Sequence, residues 1–214
     1  MPEVANKTRH ITHGMIRLAE GKMSSRKGNI ITGESLIADV EKLVDEKIKD
    51  RKFEKDLKGS IVSAVAIAAI KFSIIRQSPG KDIIFDFEKS LSFEGDSGPY
   101  LQYSSVRARS VLEKAKVEKI SESFRSVPEE VGVLERKLIR FPEIVERARL
   151  EFAPQLIVTH LLELAAIFNR YYAENVIVNK TDRKSPYRVA LTRALIITIQ
   201  NGLYLLGIQV PEKM

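Results

Sequence analysis

An all-helical fold, an irregular bundle of about six or seven helices, is what the 214-residue sequence predicts, and three observations carry it. Apolar residues recur at intervals of three and four through most of the chain. Prolines stand where such runs begin rather than inside them. No internal repeat or low-complexity tract breaks the pattern, and 44% hydrophobic residues are ample for one large core or two small ones.

Residues 1–32 stand apart from this pattern. They are rich in Gly, Ser, Lys and Arg, and their two apolar groups, Met15-Ile16 and Ile30-Ile31, suit loop with short strands. The stretch has no signal-peptide apolar run and starts mid-pattern, as a piece of a longer protein would. From Glu34 the spacing turns helical through Leu36, Ile37, Val40, Leu43, Val44 and Ile48, with Thr32 as the expected cap. A second helix spans 56–77 and stops at Ser78-Pro79-Gly80. Its stretch Ile61 to Ile75 is the most apolar in the chain. It contains Lys71 and is shorter than the roughly 18 residues of a membrane span, so a buried helix is expected and no membrane partner.

Alternation in Ile84-Phe85-Asp86-Phe87-Glu88 predicts a short extended piece, and Gly95 and Gly98-Pro99 close the loop after it. Pro99 suits the first position of a helix running to Val117, because its missing amide would be unpaired there anyway. Pro128 and Pro142 are expected to begin two shorter helices, and Pro154 a longer one to Glu174. Ser185-Pro186, a cap followed by proline, starts the last helix, which Gly207 ends.

Thirty-five Lys and Arg against 28 Asp and Glu leave a net charge of +7, a field that favours a polyanion such as RNA. The absence of cysteine removes disulfides, thiolate catalysis and Cys-based zinc, and fits a reducing cytoplasm. His10 and His13 have no third ligand nearby, so no metal site is expected. His160, on an apolar helical stretch, is expected to be packed in the core.

Two constellations carry chemistry. In Gly21-Lys22-Met23-Ser24-Ser25-Arg26-Lys27-Gly28, cations and hydroxyls crowd between glycines. Such a loop can wrap phosphates, or it can be a solvated basic loop; composition leaves both open. In Phe93-Glu94-Gly95-Asp96-Ser97-Gly98-Pro99-Tyr100-Leu101-Gln102-Tyr103, a helix starting at Pro99 puts Tyr100, Tyr103 and Arg107 on one face at i, i+3 and i+7. Leu101, Ala108 and Leu112 take another face. Spacing allows the first stripe either to stack nucleobases or to pack inward.

Lys22-Met23-Ser24-Ser25-Arg26 resembles the KMSKS signature of class I aminoacyl-tRNA synthetases, and the string from Gly14 to Gly28 resembles the arginyl-tRNA synthetase version. Phe93 to Tyr103 is similar to a Phe-Glu-Gly-x-x-Gly-Pro-Tyr-Leu-Gln-Tyr segment of that family. Phe168-Asn169-Arg170-Tyr171-Tyr172, Arg188-Val189-Ala190-Leu191 and the closing Leu206 to Met214 extend the resemblance over nearly the whole chain. The linking stretch at residues 116–150 carries no recognisable motif.

The resemblance implies a helical bundle of the class I synthetase anticodon-binding type over 33–214, preceded at 1–32 by a loop and strand remnant of a catalytic domain. It implies an ATP-binding loop at Lys22, Met23, Ser24, Ser25 and Arg26, with Lys22 as the first signature lysine. Ser25 replaces the second, whose charge falls to Arg26 or Lys27. For tRNA contact it implies Tyr100, Tyr103, Arg107, Asn169, Tyr172 and Met214. The partner would be tRNA(Arg), in the cytoplasm; arginine and ATP with Mg2+ belong to the longer parent enzyme. No nucleotide-binding βαβ unit or His-x-Gly-His motif is present, so the chain alone is expected to be inactive and to hold no cofactor tightly. The alternatives are a stand-alone helical RNA-binding module, which would have no use for a phosphate loop at Lys22 to Lys27, and a helical scaffold, which would bind RNA no better than any protein of charge +7.

Overall fold

The computed structural model describes residues 2–19, 32–51, 53–125 and 127–214. Seven helices of seven residues or more make up most of the described chain: α2 (Gly33–Lys47), α3 (Lys55–Ile75), α5 (Gly98–Val117), α6 (Val133–Ile139), α7 (Phe141–Glu151), α8 (Gln155–Glu174) and α9 (Ser185–Leu205). Two short ones, α1 (Pro2–Asn6) and α4 (Phe87–Ser90), accompany them. Strand β1 (Ile16–Leu18) pairs in parallel with β2 (Ile83–Phe85), Ile16 facing Ile83 and Leu18 facing Phe85. Met15-Ile16 thus opens the expected strand, whereas Ile30-Ile31 lies outside the described residues.

Local signals explain most boundaries. Thr32 caps α2 by accepting a hydrogen bond from the Ser35 amide at 3.1 Å. The alternating run ends at Phe85, earlier than its pattern suggests, because the Asp86 carboxylate accepts the Lys89 amide at 3.0 Å and turns the chain into α4. Helix α6 starts after Gly132, well past Pro128. Proline permits a helix start without requiring one, and Leu134, only 3% exposed, is the residue that α6 delivers to the core. Ser185 is the first residue of α9 rather than its cap. Its buried hydroxyl instead donates to the Ile177 carbonyl and accepts the Asn179 amide, tying the incoming chain to the helix.

The helices enclose two apolar clusters. Val40 and Val44 of α2, with Ile48 just after it, pack on Ile61, Val65 and Ala69 of α3, closed by Phe85 and Leu91. The larger cluster joins Leu101 and Ala108 of α5, Leu161 and Phe168 of α8, and Leu195 and Leu203 of α9. Helix α3 serves both, since its Ala68 and Phe72 belong to the larger cluster. By length and composition Leu57–Ile75 is apolar enough to cross a membrane. Here that apolarity faces two protein cores, which is the buried role its sequence predicts.

His160 sits on α8 at 2% exposure, its ring 5.8 Å from that of Phe141, and neither nitrogen has a hydrogen-bond partner among the described residues. Burial, aided by the nearby Lys137 cation, lowers its pKa from the ordinary 6.5 to about 4. A depressed histidine pKa means that the unfolded chain takes up a proton before the folded one does, so stability is lost as pH falls from 6.5 toward 4. Full expression of that shift is worth about 3 kcal/mol. Urea melts at pH 7 and pH 4.5 should therefore show a larger acid loss for the wild type than for His160→Leu. Equal losses would remove His160 as the source.

Candidate nucleic-acid interface

Helix α5 organises the site, and the string before it explains how. Ser97 caps the helix by accepting the Tyr100 amide at 3.0 Å, and Pro99 occupies its first turn. Gly98 lets that turn touch α3: a Cβ there would lie 2.4 Å from the Ala68 carbonyl oxygen, which leaves room for no other residue. Wholly buried Gln102 then joins three segments, its side-chain amide donating to the Ala64 carbonyl at 3.1 Å and the Gln209 carbonyl at 2.6 Å. The face of α5 beyond these contacts is fixed relative to both α3 and the chain end.

On that face Arg107 lies between two tyrosines. Its guanidinium carbon is 4.8 Å from the ring centre of Tyr103 and 5.7 Å from that of Tyr172, which stands near the end of α8. Phe93 meets Tyr103 edge to face at 6.3 Å, Arg51 lies 6.0 Å from Phe93, and Phe168 lies 6.2 Å behind Tyr172. Single cations therefore alternate with pairs of rings from the loop after α2 across α5 to α8.

Asn169 holds the arrangement from behind. Its carbonyl oxygen accepts from Arg107 Nη1 at 2.6 Å, while its amide donates to the Tyr100 hydroxyl at 2.9 Å and Ser104 Oγ at 3.1 Å. One amide thereby fixes the Arg107 guanidinium. All three residues of the stripe are half-buried, but Tyr100 packs on the larger core whereas Tyr103 and Arg107 line an open cleft.

The chain end completes the wall. Gly207, at φ +67°, ends α9 with its amide bonded to the Tyr204 carbonyl at 2.9 Å and the Ile208 amide to the Leu203 carbonyl at 2.8 Å. Lys71 donates to the Gly207 carbonyl and Arg109 reaches the Pro211 carbonyl at 3.5 Å. Strapped in this way, the tail places Met214 against the smaller cluster. Tyr103, Arg107, Tyr172 and Met214 then line one open cleft of about 780 Å³, within the size range of small-ligand sites.

Of the residues singled out in the sequence, these four line the cleft, and Asn169 and Tyr100 stand behind it. Lys22, Met23, Ser24, Ser25, Arg26 and Lys27 lie outside the described residues. Sequence reasoning missed Ser104, Arg51 and Lys114. Lys114 continues the Tyr103 and Arg107 face by two further turns and was open to the same periodic argument. Arg51, in a loop, gave no such signal.

The DALR anticodon binding domain matches residues 101–214 of this chain, more than half its length. The chain belongs to that family. Its arginine–tRNA ligase relatives include those of Halothermothrix orenii, 34% identical over 207 residues, and Ignicoccus hospitalis, 34% identical over 213. These alignments cover 96% and 99% of the present chain but 37% and 34% of the relatives, so the chain spans little more than a third of the proteins it matches. Among solved structures, the Thermus thermophilus arginyl-tRNA synthetase superposes with a TM-score of 0.79 at 30% identity, over 100% of this chain and 37% of its own. The Plasmodium falciparum enzyme shares the fold, at a TM-score of 0.77 and 20% identity over 99% of this chain and 38% of its own. In this DALR-family chain the matched segment begins on α5, and it includes Tyr103, Arg107, Asn169, Tyr172 and Met214.

Proposed function

We propose that this chain is the tRNA-binding, carboxyl-terminal part of an arginine–tRNA ligase. Residues 33–214 form the anticodon-binding domain, and 1–32 are the end of the catalytic domain with its ATP loop at Lys22 to Lys27. The whole enzyme joins arginine to tRNA(Arg) in the cytoplasm through an arginyl-adenylate, consuming ATP with Mg2+. The observation that carries the reading is the convergence of Tyr103, Arg107, Tyr172 and Met214, from three separate parts of the chain, on one cleft within the matched domain.

The cleft suits an unpaired base. Tyr103 and Tyr172 offer stacking faces, each stacked base being worth about 1 to 3 kcal/mol, while Arg107 offers donors and charge beside them. Met214 supplies a polarizable wall that adapts to the ring edge. A stand-alone RNA-binding module would need no ATP loop. In the whole enzyme Mg2+ would enter with ATP.

Titration with tRNA(Arg) and with the same tRNA carrying an altered anticodon, at one stated salt concentration, tests the proposal. Tighter binding of the unaltered tRNA is expected, and equal affinities would reject the assignment. The chain alone should also fail to support arginine-dependent exchange of pyrophosphate into ATP. Exchange in a preparation free of host synthetase would show that a complete catalytic site is present.

A further inference from the structure

Tyr103, Arg107, Tyr172 and Met214 account for a base in the cleft but not for the chain on either side of it. Two more cations reach the same cleft, Arg51 from the loop after α2 and Lys114 from the last turns of α5. Both are exposed, neither makes an ion pair among the described residues, and no Asp or Glu lines the cleft. The carboxylates nearest Lys114 along the helix are already engaged, Glu113 by Lys116 at 2.9 Å and Glu118 by Lys180 at 2.7 Å.

Their placement is asymmetric about the tyrosine and arginine group. Arg51 lies over Phe93, which abuts Tyr103, whereas Lys114 stands two helical turns beyond Arg107, about 10 Å along α5. Uncompensated cations on either side of a stacking slot are what a single strand requires when one base turns inward and its backbone leaves in two directions. We propose that Arg51 and Lys114 hold the phosphates flanking the base that enters the cleft, on opposite sides of it. This rests on the reading of the cleft as an anticodon-base site and adds the path of the RNA backbone. The two residues position the strand and read no base, because a phosphate carries no sequence information.

The test is the salt dependence of binding for Arg51→Gln, Lys114→Gln and the double variant, with tRNA(Arg) and the anticodon-altered tRNA, beside Arg107→Ala. Each single change should weaken both tRNAs by the same factor, about 3- to 10-fold near 0.1 M salt. Each should also lower the slope of log K against log salt by about 0.7, and the double variant by about 1.4, the single-strand value per phosphate. The ratio between the two tRNAs should stay at the wild-type value, and melting temperatures should change little, since among the described residues neither cation makes an ion pair and Arg51 gives up only its 6.0 Å approach to the Phe93 ring. Unchanged slopes in a wild-type background that discriminates, with Arg107→Ala weakened, would overturn the phosphate role and leave the base site standing. A changed ratio would make these residues base readers and also overturn it. If the wild type fails to distinguish the two tRNAs, the cleft reading and this inference fall together.

Discussion

In the full-length ligase that the proposed function assigns, Lys22→Ala should lower the turnover of arginine activation by about 10² to 10³, with little change in the Michaelis constant for arginine. The reason is where the charge appears. A cation aimed at pyrophosphate as it departs meets charge that grows in the transition state, so its removal slows the step without loosening the ground state. Steady-state exchange kinetics separate the cases, and an effect confined to the Michaelis constant would argue against Lys22 as the signature lysine. Comparing Arg26→Ala with Lys27→Ala in the same assay assigns the second charge, since Ser25 cannot supply it.

Arg107→Ala should weaken tRNA(Arg) binding by 10- to 100-fold, about 1.4 to 2.8 kcal/mol, and flatten the salt slope by about 0.7. The loss combines a free cation with the order of the two rings on either side, whose guanidinium spacer is fixed by Asn169. Fold stability should change little, because Arg107 bonds the side chain of Asn169 and contributes nothing to either apolar cluster. Asn169→Ala should reproduce part of the binding loss with the salt slope intact, as the charge stays but its position is no longer fixed. A large fall in melting temperature with unchanged binding would return Arg107 to a structural role.

How much of this was legible in the sequence follows from the range of each interaction. Thr32, Pro99, Pro154 and Gly207 act within a few residues, and the boundaries they mark agree with the structure to about a residue. Pro128 misled because burial of Leu134 sets that helix start, whereas Ser185-Pro186 marked the start of α9 to within a residue and only the capping role failed, the Ser185 hydroxyl bonding Ile177 and Asn179 instead. Periodicity placed Tyr100, Tyr103 and Arg107 on one face. It could not show that Tyr100 turns inward, since that depends on Asn169 arriving from α8. The cleft itself joins α5, α8, the tail and the loop at Arg51, and no local pattern encodes such a meeting. The buried bonds of Gln102 to the tail are equally nonlocal.

A double-mutant cycle decides whether this cleft reads an anticodon base. Affinities are measured for wild type and Tyr172→Ala against tRNA(Arg) and against tRNAs substituted one anticodon base at a time. Tyr172 is 42% exposed and outside the core, so its removal leaves the fold intact while removing one face of the slot. The account predicts that for one anticodon position the penalty of base substitution collapses in Tyr172→Ala, giving a coupling energy above about 1 kcal/mol. Additive losses at every position, with the full wild-type discrimination retained, would contradict it.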